Sequence, residues 1–246
     1  MSILKTIYLQ HLNGVNANMT LDSSGRVGIG NTSPSFPLHV GGEIFSGRSD
    51  SSAEGGQISL GRASDDFAHY NIDCYGGSTT PSLRFIDAAV GAARMSIDSS
   101  GRVTRPYQPM FYARHNNNSS ASGRYGLFDD VLTNQGGHAS HSTFGGSYSY
   151  TRFTCPIAGK YFVWVGNIGP NTTTTQRTYV HKNGSNNSAQ LRTGQTNYSN
   201  HGTSASMNVI IDAAANDWIA CYSASDDGSM AFYSGEYSHM GVILIG

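Results

Sequence analysis

The sequence predicts an all-β protein of short strands and many turns, and three observations carry that prediction. Charged residues make up only 13% of the 246 positions, about half the usual quarter. This scarcity argues against long solvated helices, coiled coils and charge-driven disorder. Glycine numbers 30 and tyrosine 14, and Ser, Asn and Thr are abundant beside them, a composition of turns and pleated surfaces. Apolar residues recur in short runs of period two, broken by Gly, Ser and Asp, which is the spacing of strands.

The chain opens on Met1-Ser2-Ile3-Leu4-Lys5, and no continuous apolar core follows Lys5, so the expectation is a soluble protein made in a cytoplasm without a signal peptide. No run reaches the roughly 18 apolar residues of a membrane span. Lys+Arg number 15 against 16 Asp+Glu, a net charge of -1. The basic residues are scattered singly, so no nucleic-acid partner is expected. Cys74, Cys155 and Cys221 are three in number and widely spaced. They predict neither a disulfide framework nor a zinc site, and all three are expected to be buried or half-buried thiols.

Asp22-Ser23-Ser24-Gly25-Arg26-Val27 recurs as Asp98-Ser99-Ser100-Gly101-Arg102-Val103. Each copy follows a short alternation, Met19-Thr20-Leu21 or Met95-Ser96-Ile97. The pattern predicts a strand, a tight turn and a returning strand, with Asp and Ser bonding the turn backbone and Gly supplying positive φ. Two copies do not make a solenoid; they bracket an insert. Within it, Gly55–Arg62, Phe67–Ile72 and Ser82–Asp87 read as a β-meander. Ala88–Ala93 allows a helical turn, which Gly91 weakens. Strands this short bury too little apolar surface to hold a core in one chain, and intertwining or stacking of copies would supply it.

Pro106 and Pro109 mark a boundary, because proline interrupts strand ladders and stiffens linkers. Strands then follow at Met110–Ala113, Gly126–Phe128, Arg152–Cys155, Gly159–Val165, Thr178–His181, Met207–Ile211, Asp217–Tyr222 and Gly241–Ile245. Lys182-Asn183-Gly184 carries the strongest short hairpin signal. About eight to ten strands in this half fit a β-sandwich or jelly roll.

Residues suited to chemistry are sparse. His138-Ala139-Ser140-His141 has metal-binding types, but a pair on a loop lacks the three or four convergent ligands that a site needs. Asp65-Asp66, Asp129-Asp130 and Asp226-Asp227-Gly228 could offer oxygen ligands to Ca²⁺, yet such runs are ordinary turns. No nucleophile elbow, phosphate loop, zinc-protease or dinucleotide fingerprint occurs. No catalytic residue, metal or cofactor is therefore assigned. Long polar stretches at 172–176, 185–188 and 196–201 hold Asn, Ser, Thr, Tyr and His, the residues of adaptable binding loops. They are equally compatible with unliganded loops. Tyr198, Tyr233 and Tyr237 are the candidate binding contacts.

Two resemblances add to this. Gly25–Pro34, closing with Pro37-Leu38-His39-Val40, and Arg94–Val103 resemble a shaft motif of bacteriophage tail-fibre proteins. Lys5–His11 with Asn18–Leu21 is similar to the amino ends of fibres from marine phages. Over residues 110–246, the order of motifs resembles the globular head of complement C1q and its tumour-necrosis-factor-like relatives. It runs from Tyr150–Phe162 through Val180–Gly184, Ala205–Ile210 and Ala215–Ile219 to Met240–Ile245. Asn216-Asp217 stands where that family has Gly-Asp, and Met240-Gly241 where it has Ser-Gly.

The resemblance to the complement head implies a ten-stranded jelly roll and a homotrimer. The expected organisation is a virion-anchoring segment at 1–45, a β-rich shaft at 46–105 and a jelly-roll head at 106–246. The function implied is a trimeric phage tail fibre whose amino end joins other virion proteins and whose head binds a bacterial surface glycan or outer-membrane protein. A capsid or neck fibre with a purely structural head is the alternative, and a glycan-degrading spike the second. A bacterial adhesin fits poorly with the lack of a signal peptide.

Overall fold

The structure, a computed structural model, describes residues 7–9, 18–47, 53–61, 68–116, 124–144, 148–168, 176–184, 204–225 and 235–246. Every regular element among them is a strand, as the composition predicts. The chain divides into two compact units, 1–104 and 105–246. No helix among the described residues is long and apolar enough to cross a membrane.

The first unit holds two sheets. Strands β1 (Ile7–Leu9), β2 (Met19–Leu21), β3 (Val27–Ile29) and β4 (Leu38–Val40) pair in chain order. The last pair is parallel. Strands β5 (Glu54–Gly61), β6 (Ala68–Tyr75), β7 (Ser82–Asp87), β8 (Ala92–Ile97) and β9 (Val103–Thr104) form an antiparallel meander. The repeated hexapeptide builds the β2–β3 turn and the β8–β9 turn in the same way. Asp22 Oδ1 accepts the N–H groups of Ser24 and Arg26 at 2.9 Å, and Oδ2 accepts Arg26 Nε at 2.8 Å. Asp98 does the same with Ser100, Arg102 and Arg102 Nε. Gly25 and Gly101 take φ of 76° and 80°, the left-handed region that glycine enters without penalty. Donation from the Arg26 and Arg102 backbones holds the two carboxyls below the usual aspartate range.

Ala88–Ala93 is not helical. Residues 88–91 are a turn and β8 begins at Ala92. Asp87 accepts the Ala89 N–H at 3.1 Å, and Gly91 turns the chain at φ 64°.

The meander has two unlike faces. On one, Gln57, Asp73, Arg84, Ser96 and Thr104 form a polar cross-strand row. Arg84 binds the buried Asp73 through two nitrogens, Nε at 2.9 Å. It reaches Glu54 at 3.1 Å and lies 3.8 Å over the Tyr75 ring. On the other face, Ile58, Ile72, Phe85 and Met95 stand in one row, and Cys74, Leu83, Ile97 and Val103 in the next. Among the residues of this unit whose burial is described no Ala, Val, Ile, Leu, Met, Phe or Tyr is buried; the buried side chains are Thr20, Pro34 and Asp73. Cys74 is exposed, against the expectation of three sheltered thiols, because it stands on this uncovered face.

The second unit is a two-sheet sandwich. Its strands are β10 (Met110–His115), β11 (Arg124–Tyr125), β12 (Asp130–Gln135), β13 (Ala139–Phe144), β14 (Tyr148–Thr154), β15 (Gly159–Ile168), β16 (Gln176–Lys182), β17 (Ser204–Ala213), β18 (Trp218–Ser225) and β19 (Gly235–Leu244). The front sheet runs β12-β10-β19-β15-β17, and the back sheet runs β11-β18-β14-β13 with β16 on the other edge of β18. All pairs are antiparallel, and from β14 onward the chain changes sheet at every connection. First and last strands lie side by side. Ten strands among the described residues, interleaved in this way, are a jelly roll.

The expected strand at Gly126–Phe128 lies instead at Arg124–Tyr125. Gly126 is spent bonding β18 and β14 through its N–H and carbonyl. Strands β12 and β13 were not anticipated. The His138–His141 segment, expected as a loop, enters β13 at Ala139.

The core follows strict alternation. In β17, Met207, Val209, Ile211 and Ala213 are buried while their neighbours are exposed. Phe153 and Tyr161 are both fully buried and meet edge-to-face at 5.8 Å, with the Tyr161 hydroxyl donating to the Ile157 carbonyl at 2.7 Å. Cys155 and Cys221 are buried in this core, and burial pushes the Cys155 thiol up to about 12. A buried polar group joins the sheets: Asn167 donates to Thr178 and Ser223 and accepts from Ser238 at 2.9 Å.

Lys182-Asn183-Gly184 turns as expected, with φ of 57° and 70°. The turn is fastened to β18: Asn183 exchanges backbone and side-chain bonds with Trp218, and its amide donates to Asp217 at 2.6 Å.

Candidate functional site: the aromatic faces of the second unit

Side chains on the outer face of the front sheet come from alternate positions of β10, β19 and β15. Tyr112 stacks on Trp164 with centroids 6.0 Å apart, Trp164 stacks on Phe162 at 5.9 Å, and Tyr112 meets His239 edge-on at 6.0 Å. Tyr112 and Gly241 are cross-strand partners, and so are Gly241 and Trp164. Glycine is required there: a Cβ on Gly241 would lie 1.9 Å from the Trp164 ring. A Cβ on Gly166 would lie 2.3 Å from the His239 ring. These two glycines lower the floor of the sheet so that large rings lie flat upon it. The result is a level ledge, half-buried in one chain, extended by the exposed Ile210 of β17. It carries apolar area without a concavity, which suits a protein surface better than a small ligand.

The outer face of the back sheet is built otherwise. Tyr125 packs on Tyr150 at 4.8 Å, and His181 stacks on Tyr222 at 4.8 Å. The Tyr125 hydroxyl and His181 Nδ1 share a hydrogen bond at 2.9 Å. Burial drives the Tyr125 phenol up to about 12 and holds the His181 imidazole below its ordinary value. With Tyr125, Tyr150 and His181 buried and the Tyr125 hydroxyl paired with His181, this cluster stabilises the fold rather than presenting an open stacking platform.

Of the candidate receptor contacts, Tyr237 lies in β19, half-exposed, on the same alternating face as His239 and Gly241. Tyr198 and Tyr233 lie outside the described residues, as do Asp65-Asp66, Asp226-Asp227-Gly228 and the stretches at 172–175, 185–188 and 196–201. Asp130 is paired with Arg114 at 2.6 Å and Asp129 accepts the Asn116 N–H at 2.9 Å, so both carboxylates serve the β10–β12 edge. His138 packs on Phe153 at 6.0 Å. His141 is exposed on β13, beside an open crevice of about 260 Å³ that Phe111, Val131, Asn134 and Thr151 also line. Among the described residues no three His, Cys, Asp or Glu side chains gather as metal ligands.

No family model matches the sequence, and no curated protein matches it. Solved structures similar to the chain are complement and tumour-necrosis-factor-type domains. The globular domain of zebrafish complement 1qA is 17% identical, covering 56% of this chain and 98% of that one, with a TM-score of 0.41. Murine APRIL is 12% identical over 55% of this chain and 98% of its own, with a TM-score of 0.41. Eiger TNF from S. frugiperda is 15% identical over 58% and 94%, with a TM-score of 0.40. The jelly-roll assignment stands on the strand order described above.

Proposed function

We propose that the chain is a trimeric structural fibre protein of a bacteriophage virion, in which the second unit is a head that joins three copies and binds a bacterial surface receptor. The observation that carries the trimer is the front ledge. Phe162, Trp164 and Tyr112 form a level aromatic surface that one chain leaves half open. Closed threefold symmetry covers such a face on every copy at once. The phage assignment draws on the likeness of Gly25–Val40 and Arg94–Val103 to fibre-shaft motifs. In this reading, the amino-terminal segment joins other virion proteins. The polar stretches of the head, with Tyr198, Tyr233 and Tyr237, contact a glycan or outer-membrane protein. Three equivalent sites per fibre, and several fibres per particle, raise avidity by orders of magnitude over one weak contact.

Two measurements test this. Light scattering of the purified chain is expected to give three times 26.2 kDa; one chain mass overturns the trimer. Fluorescently labelled protein is expected to bind the envelope of the bacterium that the parent phage infects, and to compete with that phage for adsorption. Trimer without binding or competition removes the receptor role and leaves a structural fibre.

A further inference from the structure

We propose that the apolar face of the β5–β9 meander is a second, separate self-association surface, packed against the same face of two further copies of the chain. The inference rests on the trimer proposed above and assigns it a second contact.

The face is continuous across five strands; its two central rows contain no charged side chain, and a third row, Leu60 and Tyr70, ends at Asp87, which is paired with Arg94 at 2.6 Å. Ile58 is 56% exposed, Leu60 50%, Tyr70 53%, Leu83 40% and Val103 53%. That is roughly 400 Å² of exposed apolar surface in one patch, at the size where patches on soluble chains mark interaction sites. Around a threefold axis three copies withdraw roughly 1,200 Å² in total, about 400 Å² for each pair, which is less than a stand-alone interface needs and so adds to the contact made by the second unit.

The identity of the occupant follows from the rest of the unit. No large apolar residue among its described residues is buried, and a unit of this size needs a core in order to fold at all. The cover must therefore be present whenever the unit is folded and in fixed proportion to it. A receptor met only at the cell surface fails that condition, and a second and third copy meet it. The opposite face points the same way. Its Arg84, Asp73 and Glu54 are paired with one another within the chain, so that side is finished and faces water.

Cys74 provides the test, because it is the one exposed thiol of the three and stands in the second apolar row. Native full-length protein would be titrated with a thiol-reactive chromophore, with its mass measured in parallel. The expected result is a three-chain mass with Cys74 protected at least tenfold relative to the urea-unfolded chain. Leu83→Glu, which places a charge beside Cys74 on that face, is expected to restore reactivity. In a Cys74→Ser background, Ser59→Cys puts the thiol on the exposed polar face and is expected to react at the rate of a free thiol in the assembled protein. A three-chain mass with Cys74 fully reactive overturns this inference while leaving the head trimer standing. Protection of the Ser59→Cys thiol also overturns it, since cover would then not be specific to the apolar face. A one-chain mass overturns both readings.

Discussion

The two units of this protein solve the same problem in opposite ways. The second unit folds two sheets onto each other and hides Phe111, Phe128, Phe153, Tyr161 and Ile219 completely. The first unit lays its strands out in single layers and hides only Thr20, Gly28, Pro34 and Asp73 among its described residues. What holds the first unit in shape within one chain is polar and local: two aspartate-anchored turns, the Arg84 carboxylate cluster and the Arg94–Asp87 ion pair. The difference teaches that strand content alone says little about self-sufficiency. A sandwich carries its own solvent-free interior, whereas a single sheet leaves half its side chains to be covered by something else.

This contrast can be broken most forcefully in the core of the second unit. Phe153→Ala removes a fully buried ring and is expected to destabilise that unit by about 3–5 kcal/mol. Both tryptophans, Trp164 and Trp218, lie in the second unit, so urea unfolding followed by tryptophan fluorescence reads it alone. A loss below about 1 kcal/mol would mean that the interior described here is not packed. In the first unit the matching change is Arg84→Ala, which strands the buried Asp73 carboxylate. The expected penalty is about 3 kcal/mol, seen as faster amide exchange along β6 and β7 with the tryptophan transition unmoved. Joint replacement, Arg84→Met with Asp73→Leu, is expected to recover most of it.

Acid separates the units further. Burial lowers the imidazole pKa of both His115 and His181 in the second unit. In the unfolded chain these groups titrate near 6.5. As pH falls below that value the unfolded state takes up protons that the folded state refuses. Stability is therefore level above about pH 6.5 and declines below it, by up to about 1.4 kcal/mol per pH unit for each histidine. In the first unit, Asp22 and Asp98 carry lowered pKa values. Their contribution is present above the ordinary aspartate range and is lost only as pH falls through it. Urea midpoints measured between pH 7.5 and 5 are expected to fall for the second unit, and His181→Gln is expected to flatten the slope. The smallest effect sharpens the comparison of the two turns: Gly25→Ala and Gly101→Ala are each expected to cost about 1 kcal/mol. The sites are alike, with left-handed φ and no atom within 4 Å of the added methyl. Unequal losses by amide exchange at the flanking strands would show that one turn leans on something outside itself.

How much of this could be read from residues alone follows from how local each feature is. The repeated hexapeptide was legible because its turn is closed by its own side chain. The Tyr150–Phe162 segment was legible because alternation and the Pro156–Gly159 turn sit together in sequence. Asn216 where the resembled family has glycine makes sense once its φ of 70° is known, since asparagine tolerates that conformation. Gly241 is held by the Trp164 ring, a neighbour 77 positions away that no local pattern reveals. Strands β12 and β13 escaped notice because their sequences, Asp130–Gln135 and Ala139–Phe144, are mostly polar edge strands without clear alternation. The Tyr125–His181 bond joins β11 to β16 across 56 positions and left no sequence signal. The alternation of β5–β8 was visible, but that a whole face stays uncovered in one chain could be seen only after the register was known.

The twin turns have a consequence for how such a chain changes over generations. Each is closed from within: Asp22 and Asp98 bond to their own loops, and Gly25 and Gly101 face open space. A boundary that carries its own closure is a portable join. Whatever is spliced between two such joins meets the same strand ending on either side, so the intervening stretch can be lengthened, shortened or exchanged as a cassette while the flanking pieces keep their shape.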